Sequence, residues 1–212
     1  VSPRPPASAR LDRGQILDGA MAIADRDGVD ALSLRKLAAD LKVTPMALYW
    51  HFKDKDALLD ELVERLLSEA VPPEADGLDA MAAGLLRALL AHPGLAGITP
   101  VRFMRTDAGI TLSERTIGLL RAEGHSPIAA AQLSMFILNG IVNLAVNRPG
   151  DLAVHDPAAR EALVTAKRGR LKSLDPAAYP HLTETADHFL GLADEEDYYA
   201  RGLAYILAGA RR

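Results

Sequence analysis

The 212-residue chain contains no cysteine. This excludes disulfides, thiol catalysis and cysteine-ligated zinc, and it suits a cytoplasmic location. No stretch approaches 18 uninterrupted apolar residues, and no apolar stretch precedes Asp12. Neither a membrane span nor a signal peptide is therefore expected. The six histidines (51, 92, 125, 155, 181 and 188) are scattered, without HExxH spacing or a neighbouring carboxylate pair, so no metal site is expected. Glu184 and His188 are i, i+4 neighbours, a spacing that a surface contact explains. GxSxG, P-loop and GxGxxG motifs are all missing, so no cofactor is expected and an enzyme is disfavoured.

Charge of one sign is also lacking. The net charge is −4, with nine basic against eight acidic residues in 1–56 and fifteen against twenty in the remainder. Hydrophobic residues make up 49% and charged residues 25%, an ordinary globular balance that fits one large domain or a small domain plus a medium one. Aromatics are few, at 5%, and the single Trp lies in the run Tyr49-Trp50-His51.

That run belongs to the most informative stretch, residues 33–55. Ser33 is suited to cap a helix in which Leu34, Leu37, Ala38 and Leu41 recur on one face. Lys42-Val43-Thr44 breaks it, and Thr44 is suited to cap a second short helix with Pro45 at its first position. Leu48 and Phe52 close a core with the first helix, which leaves Pro45, Met46, Tyr49, Trp50 and His51 for the surface. Two helices joined by a short turn, the second carrying surface aromatic and polar groups, form a unit that enters the DNA major groove.

Around this unit the pattern is helical throughout. A helix is predicted over 12–26 with Ile16, Ala20, Ile23 and Ala24 inward, and another over 55–70 with Leu58, Leu59, Leu62, Leu66 and Leu67 as its stripe. Further helices are predicted over 78–92, 110–123, 128–147, 156–171, 181–192 and 194–210, with a short irregular one over 95–105. No strand pattern and no internal repeat is present. The fold class is all-α: a three-helix helix-turn-helix domain joined by a fourth helix to a larger helical domain. Residues 1–10 read as a Pro-rich basic arm, 11–70 as the DNA-binding domain with its connecting helix, and 78–212 as an effector-binding and dimerisation domain. An inert arm is preferred over one that touches DNA.

Residues 11–70 resemble the DNA-binding domain of TetR-family repressors, with RKLA at Arg35–Ala38, LYWH at Leu48–His51, Lys55 and ALLD at Ala57–Asp60 in the subgroup's order and spacing. YYARGLAYILAGA in the last helix resembles the closing helix of the tetracycline-repressor subgroup. The resemblance implies a homodimer formed by helices 128–147 and 194–210, in which Gly202 and Gly209 would allow close approach to a partner helix. It implies a palindromic operator, release by a small effector through movement of helix 55–70, and DNA contacts at Arg35, Thr44, Pro45, Met46, Tyr49, Trp50 and His51. In physical terms, Arg35 suits a bidentate pair with guanine, Pro45 and Met46 a thymine methyl, and Tyr49, His51 and Lys55 the phosphates. Lys42 occupies a turn position that is usually Gly, where positive φ is expected.

An apolar effector site is expected among Leu86, Leu89, Leu90, Phe103, Met104, Ile117, Leu120, Phe136 and Ile137, with Thr99, Arg102 and Gln132 as polar contacts. Asn139, Asn143 and Asn147 recur at i, i+4 and i+8 and meet either the ligand or the second subunit, the latter being preferred. The tetracycline-binding subgroup chelates magnesium with a His and a Glu at positions that read Gly97–Pro100 and Leu144–Asn147 here. A mostly apolar organic effector without metal is thus expected. The competing reading is a helical scaffold that uses Trp50 as an interface anchor without sequence-specific DNA binding.

Overall fold

The computed structural model describes residues 12–147, 157–189 and 195–211. The basic arm at 1–10 and Asp194 lie outside the described residues. Asp12 opens helix α1 (Arg13–Asp27) with a capping box: its carboxylate accepts from the Gly14 N–H, and its own N–H donates to Gln15. Gly28, at φ 81°, ends the helix in a conformation that glycine alone adopts without strain. Ser33 caps α2 (Leu34–Asp40) by accepting from the Lys36 N–H at 3.1 Å.

The turn that follows places Lys42 at φ 56°, the one positive-φ residue other than glycine among the described residues. Thr44 precedes α3 (Pro45–Tyr49) in extended backbone, but its hydroxyl makes no capping bond, contrary to expectation. Pro45 at the first position has no N–H, which leaves one fewer unpaired donor in the first turn. Asp54 then caps α4 (Lys55–Ala70) by accepting from the Ala57 N–H at 2.8 Å.

These four helices share one core. Ile16, Ala20, Ile23 and Ala24 of α1, Leu37 and Ala38 of α2, and Leu48 and Phe52 around α3 are buried together. Each large side chain among them contributes roughly 1.5–3 kcal/mol. Helix α4 buries its whole predicted stripe, with α1 on one side and the larger helical body on the other.

That body comprises α5 (Gly77–Ala91), α6 (Pro93–Ala96), α7 (Thr99–Arg102), a 3-10 turn (Phe103–Arg105), α8 (Asp107–Ala122), α9 (Pro127–Val146), α10 (Pro157–Lys172), α11 (Pro180–Phe189) and α12 (Glu195–Ala208). The single irregular helix expected over 95–105 is three pieces, because Pro93 and Pro100 each start a helix and neither can sit within one. Helix α9 packs against α5, α8 and α12, while α10 and α11 pair as a hairpin. Gly202 makes its close approach within the chain: a Cβ there would lie 2.7 Å from Leu144 of α9. Gly209 has open space around it within the chain.

Head and body also meet through α6. A Cβ on Gly94 would fall 2.1 Å from the Ala24 carbonyl oxygen, so α6 rests directly on α1. The Asp25 carboxylate accepts from the Gly94 N–H at 3.3 Å and lies 2.8 Å from His92 Nδ1.

Candidate nucleic-acid interface and effector cavity

Helix α3 is short, and its orientation is set from behind. Leu48 and Phe52 point into the core, which turns Met46 (65% exposed) and Trp50 (84% exposed) outward, with Thr44, Pro45 and Tyr49 also exposed and His51 half-buried. The end of α3 is held by Arg13. Its guanidinium grips Glu61 at 2.7 and 2.9 Å, donates to the His51 carbonyl at 3.1 Å and lies over the Phe52 ring at 4.5 Å. The hydrogen bond from Arg13 holds the Glu61 carboxyl below the usual carboxylate range. Arg13 therefore bolts α1, α3 and α4 together.

Other cations of the head are likewise occupied. Arg26 and Lys36 share Asp27, whose carboxyl the two hydrogen bonds push far below its ordinary value, and Arg26 also reaches Asp40. Lys55 is partly buried and donates to the carbonyls of Val29 (2.6 Å) and Asp30 (3.4 Å), which ties the start of α4 to the loop after α1. Arg35, Lys42 and Lys53 are exposed and form no ion pair among the described residues. The surface around α3 thus combines outward apolar and aromatic groups with cations that lack an internal partner. That combination matches base edges, thymine methyls and phosphates.

The second feature is a cavity of about 400 Å³ inside the body. Its walls are Met81, Ala82 and Leu85 of α5, Leu112, Ser113, Thr116 and Ile117 of α8, and Ser134, Ile137, Leu138 and Ile141 of α9. Val71 and Leu78 close it on the side of α4, and Pro100, Phe103 and Met104 form another edge. No charged side chain lines it; the polar groups are Ser113, Thr116, Ser134 and Asn139. Among the described residues no three His, Asp or Glu side chains cluster as metal ligands.

Of the residues expected to contact an effector, Phe103, Ile117 and Asn139 line this cavity, as do Met104 and Ile137. The others do not. Leu86, Leu89 and Leu120 are core residues, and Leu90 packs against that core half-buried. Thr99 is fully buried, with its hydroxyl donating to the Leu95 carbonyl at 2.9 Å. Arg102 turns away from the cavity toward Asp56 and Asp60 on α4. Gln132 and Phe136 lie on the outer face of α9, where Phe136 is 70% exposed.

Sequence reasoning missed Ser113, Thr116, Ser134, Met81 and Leu85. The available signal was on α8, where Ser113 and Thr116 alternate with Leu112 and Ile117 along one side of the helix. On helix α9 the signal was weaker, because Asn139 and Ser134 stand among apolar residues on every side of the helix. That helix is long and apolar enough by composition to span a membrane, yet its Ala130, Ile137, Ile141, Leu144 and Ala145 are buried in this fold. Asn143 and Asn147 are exposed on the outside of α9 and bond to each other at 2.5 Å, and Asn139 is exposed at the cavity edge.

Both parts of the chain are similar to known proteins. The family "Bacterial regulatory proteins, tetR family" matches residues 16–62, and "Tetracyclin repressor-like, C-terminal domain" matches 72–212. An HTH-type transcriptional regulator of Saccharopolyspora erythraea is 32% identical over 209 residues, covering 94% of this chain and 84% of that protein. The crystal structure of the Streptomyces coelicolor TetR family protein ActR in complex with actinorhodin superposes with a TM-score of 0.76 at 30% identity, covering 94% and 96% of the two chains. The Escherichia coli tetracycline repressor protein class D is 43% identical, but over 60 residues, 28% of each chain. These matches span both the reading head and the cavity-bearing body, and the chain belongs to the TetR family of DNA-binding transcriptional regulators.

Proposed function

We propose that the chain is a repressor that binds a palindromic operator as a homodimer and lets go when a small, uncharged, largely apolar effector fills the cavity. The observation that carries the DNA part is the outward face of α3, with Trp50 84% exposed and the unpaired Arg35 on the neighbouring helix. Core packing accounts for Leu48 and Phe52 and leaves this face without a use inside the molecule. DNA contacts are assigned to Arg35, Thr44, Pro45, Met46, Tyr49, Trp50 and His51. Lys55 is assigned to holding the head in place, because its ammonium is already occupied by two carbonyls.

Dimerisation is supported by the outer faces of α9 and α12. Ile128 and Phe136 are exposed on α9, as is Met135 at the edge of the cavity, and Tyr205 is 78% exposed on α12. An apolar surface of this kind is suited to a second copy of the same face. The Asn143–Asn147 pair lies on that side and would fix the register of the facing helices.

The effector reading rests on a cavity within the usual 300–1,000 Å³ of about a drug-sized site, whose lining has no charge to meet an ion. ActR, a protein of similar fold, is known in complex with the small molecule actinorhodin. Selection of bound duplexes from a random pool, at two salt concentrations, tests the central claim. A recovered palindrome with half-sites about 10 bp apart supports it. Enrichment of no sequence, or binding governed by salt alone, overturns it.

A further inference from the structure

The chain contains five methionines and no cysteine, so thioethers are its only oxidisable sulfur. They divide sharply by exposure. Met21 and Met81 are buried, at 6% and 5%, whereas Met46, Met104 and Met135 are exposed at 65%, 63% and 64%. The three exposed ones stand at the two functional features: Met46 on the outward face of α3, and Met104 and Met135 at the cavity. Exposure decides which thioethers react, because the sulfur lone pair must meet the oxygen of the oxidant directly.

Met46 is held out in solvent. Leu48 and Phe52 anchor α3 from behind, so Met46 cannot withdraw into the core. Its neighbours Thr44 and Pro45 are exposed as well and give it no cover. Trp50, one turn further on, shares its side of the helix and also faces solvent. The Met46 sulfur accepts no hydrogen bond among the described residues, whereas the Met104 sulfur accepts from the Ser113 hydroxyl at 3.4 Å. Both lone pairs of Met46 are thus free to react. As a thioether the side chain is apolar and adaptable, suited to a base edge or a thymine methyl. As a sulfoxide it carries a strongly polar S–O group that such a contact leaves unsatisfied.

We propose that Met46 is a site of reversible oxidation, at which a hydroperoxide switches operator binding off. The inference rests on the reading of α3 as the helix that contacts DNA. In the step, the Met46 sulfur attacks the terminal oxygen of the hydroperoxide. The S–O bond forms, the O–O bond breaks, and the sulfur gives up two electrons. The proton on that oxygen passes to the departing alkoxide or hydroxide, which leaves as alcohol or water. Methionine sulfoxide remains, and methionine sulfoxide reductases return it to the thioether. A palindrome engages two copies of α3, so the change is felt at both half-sites.

The test treats the full chain with hydrogen peroxide, reads the oxidised positions by peptide mass spectrometry, and reads affinity for the selected duplex by fluorescence anisotropy. Each variant is compared with its own untreated form, so the cost of a substitution itself cancels. In the free wild type, Met46 is expected to gain oxygen roughly tenfold faster than Met21 or Met81. Duplex affinity should fall by roughly tenfold and return after treatment with methionine sulfoxide reductases of both epimer specificities. Met46→Leu should hold its affinity through the same treatment, and M104L/M135L should lose as much as the wild type. A loss that persists at full size in Met46→Leu, or a wild type that binds equally well with Met46 oxidised, overturns the proposal. The placement of α3 is checked in the same samples, because bound duplex should slow Met46 oxidation by about fivefold. A duplex that leaves this rate unchanged overturns both the placement and the switch, whereas protection of Met46 without any loss of affinity on oxidation overturns the switch alone.

Discussion

Substituting Arg35 by Ala removes the guanidinium of α2, which is exposed and forms no ion pair among the described residues. Little stability depends on it: Ala is a good helix former, and a surface change away from caps and core stays within about 0.5 kcal/mol. If Arg35 pairs with a guanine, each half-site loses about 1–3 kcal/mol of discrimination, so a dimer on a palindrome loses roughly 2–6 kcal/mol. At 1.4 kcal/mol per decade this corresponds to a fall in affinity of roughly 30-fold to 20,000-fold. Fluorescence anisotropy with the selected duplex reads the affinity, and thermal unfolding reads the stability. The loss should shrink on a duplex in which the contacted guanine is replaced, because the wild type then lacks the pair as well. Unchanged affinity with unchanged stability would refute the placement of Arg35 on the DNA. A loss of stability of 2 kcal/mol or more would refute the claim that it is free of internal duty.

Lys42→Gly relieves a φ of 56° and should raise stability by up to about 1 kcal/mol, while a weaker and less salt-dependent DNA affinity would show that the ammonium meets a phosphate; unfolding and binding curves at two salt concentrations separate the effects. Leu48→Ala empties a fully buried position behind α3 and should cost about 2–5 kcal/mol by denaturant unfolding; a cost below 1 kcal/mol would mean that α3 is not anchored as described. Phe136→Glu places a charge on the outer face of α9 and should yield monomers by analytical ultracentrifugation with the helical signal intact, whereas a persistent dimer would move the interface elsewhere. Hydrogen bonds from Arg105 and then Arg102 hold the Asp56 carboxyl down to about 2. A depressed folded-state value stabilises above the unfolded pKa of about 3.9 and is lost as pH falls from there toward the folded value. The gap in melting temperature between wild type and Asp56→Asn should therefore be constant from pH 8 to 5 and close below pH 4; a gap that closes near pH 6 would refute the pairing.

Local chemistry was legible wherever one residue type has one use. Ser33 and Asp54 act as the caps that a short oxygen-bearing side chain before an apolar period suggests, whereas Thr44, read in the same way, makes no capping bond. The period itself placed Ile16, Leu37, Leu48 and Leu62 in the core. It also separated Leu48 and Phe52 from Met46, Tyr49 and Trp50, and so marked the outward face of α3.

The cavity was less legible, because on a helix with apolar residues on every side the period no longer distinguishes ligand, core and partner. Phe136 and Ile137 are adjacent in sequence, yet one is 70% exposed and the other faces the cavity. Arg102 shows the same limit for charge. Its sequence neighbours suggested a polar ligand contact, but its partners are Asp56 and Asp60, more than forty residues away. By itself the sequence determined the helices, their caps, the buried stripes and the outward face of the recognition helix, since these follow from contacts three or four residues apart. Only the tertiary structure decided which helix faces enclose the cavity, that Arg13 and Lys55 are internal fasteners, and that α4 is gripped by a distant turn. Such pairings depend on where separate helices cross, and no periodicity within one helix encodes that.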